Sequence, residues 1–175
     1  MIKTLAIGVV VLIAALLLFA ATRPDTFRVQ RAASIKARPE KIFALINDLH
    51  GWDAWSPYEK KDPAMKRAYS GAAQGKGAAY AWEGNKEVGT GRIEITESSP
   101  PSRVTMALDM IKPIKAHNTV EFTLEPQGGS TSVIWAMNGN MPYISKILSV
   151  FLNMDRMVGR DFEAGLASLK AAVEK

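Results

Sequence analysis

Cysteine is absent from the 175 residues, which removes disulfides, thiolate nucleophiles and cysteine-based metal sites. The absence carries no weight for compartment, because a cysteine-free chain folds equally well on either side of a membrane. Histidine occurs only as His50 and His117, so a hydrolytic triad has two candidates for its usual base. There is no internal repeat and no low-complexity linker after the first segment. A large excess of one charge is also missing: 22 Lys and Arg face 17 Asp and Glu, for a net +5. The bases are interspersed with acids, as in Lys61–Arg67 (KDPAMKR) and Asp155–Glu163 (DRMVGRDFE). No basic stripe alternates with aromatics, so the charge reads as a mixed solvated surface and nucleic acid is not an expected partner.

What is present is an ordinary globular composition, 47% hydrophobic and 22% charged. The length holds one domain plus an appendage. The appendage comes first: Thr4–Thr22 (TLAIGVVVLIAALLLFAAT) carries no charge and one glycine. Nineteen helical residues reach about 28 Å, close to the hydrocarbon thickness of a bilayer. The alternative is a cleaved signal peptide, since Lys3 supplies a minimal positive flank. The apolar run is long for that role, and cutting after Ala20 or Ala21 would place Leu18 or Phe19 where a small residue is wanted. A retained transmembrane anchor over residues 1–24, contacting the membrane through Leu5–Ala21, followed by a domain over residues 25–175, is therefore expected. Two rules conflict over its orientation. Arg23, Arg28, Arg31, Lys36 and Arg38 favour a cytoplasmic domain, whereas amino-terminal signal-anchors usually leave it extracytoplasmic, in the periplasm of a bacterium.

The remaining chain reads as α+β. Thr26–Ile35 alternates in its first half and is expected to be a strand. Pro39–Ile46 is a short helix with proline in its first turn and Ile42, Phe43 and Ile46 on one side. Strands follow at Ala78–Glu83 and Lys86–Thr96, with Gly84-Asn85 between them suited to a tight two-residue turn. Further strands fall at Arg103–Met110, Ala116–Glu125 and Thr131–Asn138, separated by SSPPS and PQGG. Val104, Met106, Leu108 and Met110 share a face, as do Val120, Phe122 and Leu124, and Val133, Trp135 and Met137. The opposite positions Thr119, Glu121, Thr123 and Glu125 want water, which predicts an antiparallel sheet with one buried face. Phe162, Leu166, Leu169 and Val173 form the stripe of a closing helix, roughly Asp155–Glu174. Pro142–Leu152 is either a separate short helix or a loop.

The first strand with PEKIFALINDLHGWDAWSP, the turn-bearing YAWEGNKEVGTGRIEI and the closing MVGRDFEAGLASLKA resemble the bacterial polyketide cyclase/dehydrase and lipid-transport family. That family belongs to the helix-grip superfamily of START domains and the birch-pollen allergen. The resemblance spans about Phe27 to Lys175. It implies a curved antiparallel sheet of about seven strands wrapped on a long C-terminal helix, with two short helices after the first strand. It also implies a small or lipid-like ligand gripped between sheet and helix, with a few members using the cavity as a cyclase or hydrolase. The anchor is an addition to the basic family domain.

Catalytic groups are scarce. His117 shares the wet face with Thr119 and Glu121, and His50 stands in the loop before the tryptophans; both read as surface or capping residues. His117 and Glu121 would lie about 13 Å apart on a strand, too far to share an ion. GAAQGKG (Gly71–Gly77) has three residues rather than four between its glycines and Gly77 where a phosphate loop needs Ser or Thr, so it reads as a flexible loop. Asp53 reads as a cap or solvent-facing group and Glu83 as a turn-flanking charge. Neither metal nor cofactor is expected.

The stretch HGWDAWSPYEKKDP (His50–Pro63) places Trp52 and Trp55 on one face of a helical turn, either as a plug for one end of the core or as the rim of a cavity. Cavity-lining candidates are Trp52, Trp55, Tyr80, Trp82, Met106, Met110, Asn118, Phe122, Trp135, Met137, Phe162 and Leu166. Each is equally at home in a packed core. Asn118, inward with Val120 and Phe122, is either a lone polar group in the interior or a solvated strand end. Three functions follow. The chain binds a hydrophobic small molecule or lipid; or Tyr80, Asn118, Asp53 or Glu83 converge as acid/base or oxyanion groups of an enzyme; or Pro142–Leu152 docks another membrane protein.

Overall fold

The structure, a computed structural model describing residues 2–151 and 153–174, has seven strands among the described residues, most of them where the sequence alternates. Met1, Leu152 and Lys175, each at the margin of a predicted segment, lie outside the described residues. The strands are β1 (Thr26–Ile35), β2 (Lys66–Gly71), β3 (Ala78–Glu83), β4 (Thr90–Ser99), β5 (Arg103–Lys112), β6 (Ala116–Gln127) and β7 (Ser130–Asn140). They form one open sheet in the order β1-β7-β6-β5-β4-β3-β2, with every neighbouring pair antiparallel. In β6, Asn118, Val120, Phe122 and Leu124 are buried while Thr119 and Glu125 are exposed, so the predicted faces hold. The helices are α1 (Ile2–Ala21), α2 (Pro39–Asn47), α3 (Pro57–Lys61), α4 (Tyr143–Leu148) and α5 (Met154–Val173), with a 3-10 turn at Leu49–Ala54.

The buried stripe Phe162, Leu166, Leu169 and Val173 seats α5 across the inner face of the sheet. Its first turns are held to edge strand β1 by Arg31. The Arg31 guanidinium donates to Asp155 at 3.0 Å and to Glu163 at 2.7 Å. Gly159 makes this possible, because a Cβ there would lie 2.0 Å from Arg31 Nη2. These bonds hold the Asp155 carboxyl below the usual carboxylate range. At the far end of α5, Lys36 N–H donates to Glu174 at 2.6 Å.

Two local expectations change. The β3–β4 connection is not a two-residue turn; β4 begins at Thr90, and Gly84–Gly89 form a longer loop. Val88 is buried there, and its carbonyl accepts from Trp82 Nε1 at 3.0 Å. Asn85 Oδ1 accepts from the Glu87 and Val88 amides, which organises the wider turn around its side chain. The Gly71–Gly77 connection is closed by Ala72 N–H donating to Gly77 O at 3.1 Å and held to its surroundings by Gly75 N–H donating to Asn47 O at 2.9 Å and Gly77 N–H to Ile95 O at 2.8 Å. Gly71 has φ 80°, and a Cβ on it would lie 2.0 Å from Gly77 O, so glycine is required.

α1 contributes no side chain to the core. It joins β1 through only Thr22–Asp25, and the registers then fix what lies nearby. The end of β7, the start of β6, the end of β5 and the start of β4 all fall at the same end of the sheet. This α1-proximal end also receives α4 and the first turn of α5.

Candidate functional site

The centre of the grip is filled by aromatic rings. Trp135 on β7 stacks on Phe162 of α5 with centroids 4.1 Å apart and planes 10° apart. Phe122 lies 4.8 Å from Trp135, and Trp55 meets both rings edge-on at 5.8 and 5.6 Å. Gly165 lets α5 approach this cluster, since a Cβ there would sit 2.6 Å from the Trp135 ring. Met106, Leu166 and Met137 are buried around it.

The two tryptophans of HGWDAWSPY have a local reason to sit where they do. α2 ends at Asn47, leaving its last carbonyls without helical partners. Trp52 Nε1 donates to Ile46 O at 3.1 Å and Trp55 Nε1 to Leu45 O at 3.2 Å. With Asn47 O taken by Gly75 N–H, the end of α2 is closed by the same residues that plug the core.

Tyr80 is buried on β3, where its hydroxyl donates to Glu59 Oε1 at 2.7 Å. Arg67 Nε donates to Glu59 Oε2 at 2.8 Å, completing a Tyr–Glu–Arg group on the β2–β3–α3 corner in which Tyr80 and Glu59 are buried and Arg67 reaches the surface. Burial, and then the Glu59 carboxylate, raise the Tyr80 hydroxyl far above the ordinary phenol range. Sequence reasoning missed Glu59. The one available signal, Ser56-x-x-Glu59, reads as a capping box, yet Ser56 makes no side-chain cap and Glu59 turns to Arg67 and Tyr80. Trp82 and Met110 are half-buried.

The polar residues that acid/base chemistry would need are dispersed. Asp53 and Glu83 are exposed, with Glu83 beside Lys66. Tyr80 and Asn118 occupy one rung of the sheet, but Ile93 and Leu108 stand between them. Three strand spacings separate them by about 14 Å. His117 is exposed on the wet face and contacts Asp109, and His50 stacks on Tyr69 at 4.1 Å.

Asn118 is buried rather than solvated, at 6% exposure. Its Oδ1 has no hydrogen-bond partner, nor has Trp135 Nε1. Asn118 Oδ1 lies against Gly139, where a Cβ would be 2.0 Å from it and 2.7 Å from the Phe27 ring. Phe27 in turn lines two open concavities. One, of about 430 Å³, runs between β1 and the α4–α5 connection past Arg23, Val29, Met141, Val150, Phe151 and Met154. The other, of about 650 Å³, straddles the sheet end by His117, Thr119 and Asn138. An unpartnered buried acceptor thus sits near the Phe27 ring, which lines open space at the α1-proximal end.

An open antiparallel sheet closed by one long helix, with aromatic packing between them and an opening at one end, defines a helix-grip domain. Residues 26–174 match the family described as polyketide cyclase / dehydrase and lipid transport, and the chain belongs to that family. Solved structures share the fold. A Chromobacterium violaceum protein is 16% identical, covering 87% of this chain and 99% of its own, with a TM-score of 0.60. A Thermus thermophilus protein is 19% identical, covering 84% and 97%, at 0.60. The Colwellia psychrerythraea Aha1 dimer is 21% identical, covering 85% and 96%, at 0.57. No match was found among curated protein sequences. Outside the family region, α1 is long and apolar enough to cross a membrane, a property that signal sequences share.

Proposed function

We propose that the chain is a membrane-tethered domain that binds a small hydrophobic or lipid-like ligand at the open, anchor-proximal end of its grip. The observation that carries this reading is the buried, unpartnered Asn118 Oδ1 beneath Phe27, beside the groove of about 430 Å³. A buried acceptor without a partner costs stability and gains from any ligand donor that reaches it. Rotation of the Phe27 ring would join the groove to that acceptor. Met110 and Met137 flank the route with flexible side chains that fit varied apolar shapes. The Trp55–Phe122–Trp135–Phe162 cluster forms its floor. Burying about 200 Å² of apolar ligand surface contributes about 5 kcal/mol at 25 cal/mol per Å², before the costs of ordering the ligand.

Native mass spectrometry of the full-length protein, extracted without denaturation, tests the proposal. A lipid-like species should remain bound to the wild type and be depleted in Asn118→Leu, whose amide is gone but whose fold is checked by thermal melting. No bound species, together with no saturable binding of a fluorescent fatty acid, would end the ligand reading.

A further inference from the structure

Taking α1 as a membrane span, as proposed above, we infer that the anchor-proximal end of the domain is itself a lipid contact: two apolar tips, one on the β5–β6 turn and one on the α4–α5 segment, rest on a bilayer surface rich in anionic headgroups.

The first support is where exposed apolar side chains lie. Among the described residues outside α1, the large exposed hydrophobics are Ile111 and Ile114, the α4–α5 set Tyr143, Ile144, Leu148, Phe151, Met154 and Met157, and Tyr69. All but Tyr69, which stands on the far edge strand β2, cluster at the α1-proximal end of the sheet. Phe151 is 71% exposed and Ile144 57%, values that an aqueous surface does not favour in a cluster. The β5–β6 turn and the β7 exit to α4 are brought within roughly 10 Å by the strand spacing, although they are distant in sequence.

The second support is reach. Thr22–Asp25 is all that separates α1 from β1, and four extended residues cover at most about 14 Å. A spanning α1 therefore holds this end, and not the opposite one, against the bilayer. The structure draws α4 closer still. Tyr143 Oη donates to Leu17 O at 2.7 Å, and Arg23 Nη2 to Ser149 O at 3.5 Å. Leu17 lies one turn inside the end of α1, about 6 Å along the axis, so the Tyr143 ring sits at the depth where interfacial tyrosines collect.

The third support is charge. The acids at these segments are engaged: Asp25 with Lys146, Asp155 with Arg31, Asp109 with His117. Among the described residues, no carboxylate pairs with Arg23, Lys112, Lys115 or Arg156. Basic groups interleaved with apolar tips complement a negatively charged headgroup layer. The proposed ligand groove, lined by Phe151 and Met154, then opens against lipid and not toward water.

The cysteine-free chain permits a direct test. Single nitroxide labels are placed at Leu12→Cys, Ile114→Cys, Phe151→Cys and, as the remote control, exposed Gln127→Cys in the full-length protein. Each variant is reconstituted in phosphatidylcholine vesicles with or without roughly one-third phosphatidylglycerol, an anionic lipid. Labels at 12, 114 and 151 should collide with oxygen and be protected from a water-soluble nickel chelate; the label at 127, on the β6–β7 turn at the opposite end of the sheet, should show the reverse. Phosphatidylglycerol should raise nickel protection at 114 and 151 several-fold, and Lys112→Glu with Lys115→Glu should abolish that gain at 114. Bilayer depth at 12 with nickel-exposed labels at 114 and 151 overturns this inference and leaves the anchor standing. Nickel exposure at 12 as well overturns the anchor itself. Shielding of 114 and 151 from both reagents means protein covers the tips, a second copy included, and likewise overturns the lipid contact, while indifference to phosphatidylglycerol overturns its anionic character.

Discussion

At the centre of the grip, Trp135 and Phe162 stack at 4.1 Å and Gly165 leaves no room for a methyl group. At the α1-proximal end of the same sheet, Phe151 stands in the open and Asn118 Oδ1 has no partner. Both regions are rich in apolar side chains, the centre on β6, β7 and α5, the end on the β5–β6 turn, α4 and the start of α5. They differ in whether those side chains face one another. The central residues meet across the sheet–helix seam and gain dispersion and burial together. The end residues have only solvent, or a bilayer, to meet. Stability is thereby assigned to the centre and the proposed recognition to the end, and mutations should separate them.

The largest effect is expected at the centre. Phe162→Ala removes a ring stacked on Trp135 and packed in the core, and should cost about 3–5 kcal/mol in denaturant melts. A loss below one kcal/mol would show that the seam is looser than its ring distances imply, and the contrast between the regions would fade.

The buried corner sharpens the contrast next. Glu59→Ala strands the Tyr80 hydroxyl and leaves Arg67 without its carboxylate. Arg67 keeps a quarter of its side chain in water, so the expected cost is about 2–3 kcal/mol, less than for a fully buried pair. The same group predicts a pH effect of definite sign. The folded state holds Tyr80 neutral by burial and by Glu59, so this contribution is intact below the ordinary phenol value near about 10 and is lost as pH rises beyond it. Absorbance at the phenolate band should show Tyr80 silent until alkaline unfolding. Ionisation of every tyrosine in the still-folded protein would remove the basis for the buried corner.

What could be read in advance divides along the same line. Strands β5, β6 and β7 and helix α5 were legible because one buried face writes a period of two or 3.6 into the chain. β2 was not, because it is an edge strand exposed at every position and no face imposes alternation on it. Glu59 hid behind a capping pattern. The candidate site was legible as an inner face but not as a packed or open space, since Trp135, Phe122 and Met106 would be chosen for either. The apolar end was hardest. Residues 111–114 and 143–157 become neighbours only through the β5–β6–β7 register, a long-range fact that no local window contains.

The smallest expected effect is the most discriminating. Phe151→Ala makes the same chemical change as Phe162→Ala, but at a ring that is 71% exposed. Removing it forfeits few protein contacts, so stability in detergent should move by no more than about 0.5 kcal/mol. A cost above about 1.5 kcal/mol would mean that Phe151 is packed against protein in solution. Its exposure could then no longer be set against the burial of Phe162, because both rings would be serving the core. A near-zero cost means instead that a large apolar group is kept where folding does not need it. Its free energy is then available for lipid: a fully buried Phe side chain gains about 1.5–3 kcal/mol by leaving water, several times the expected change in folding stability.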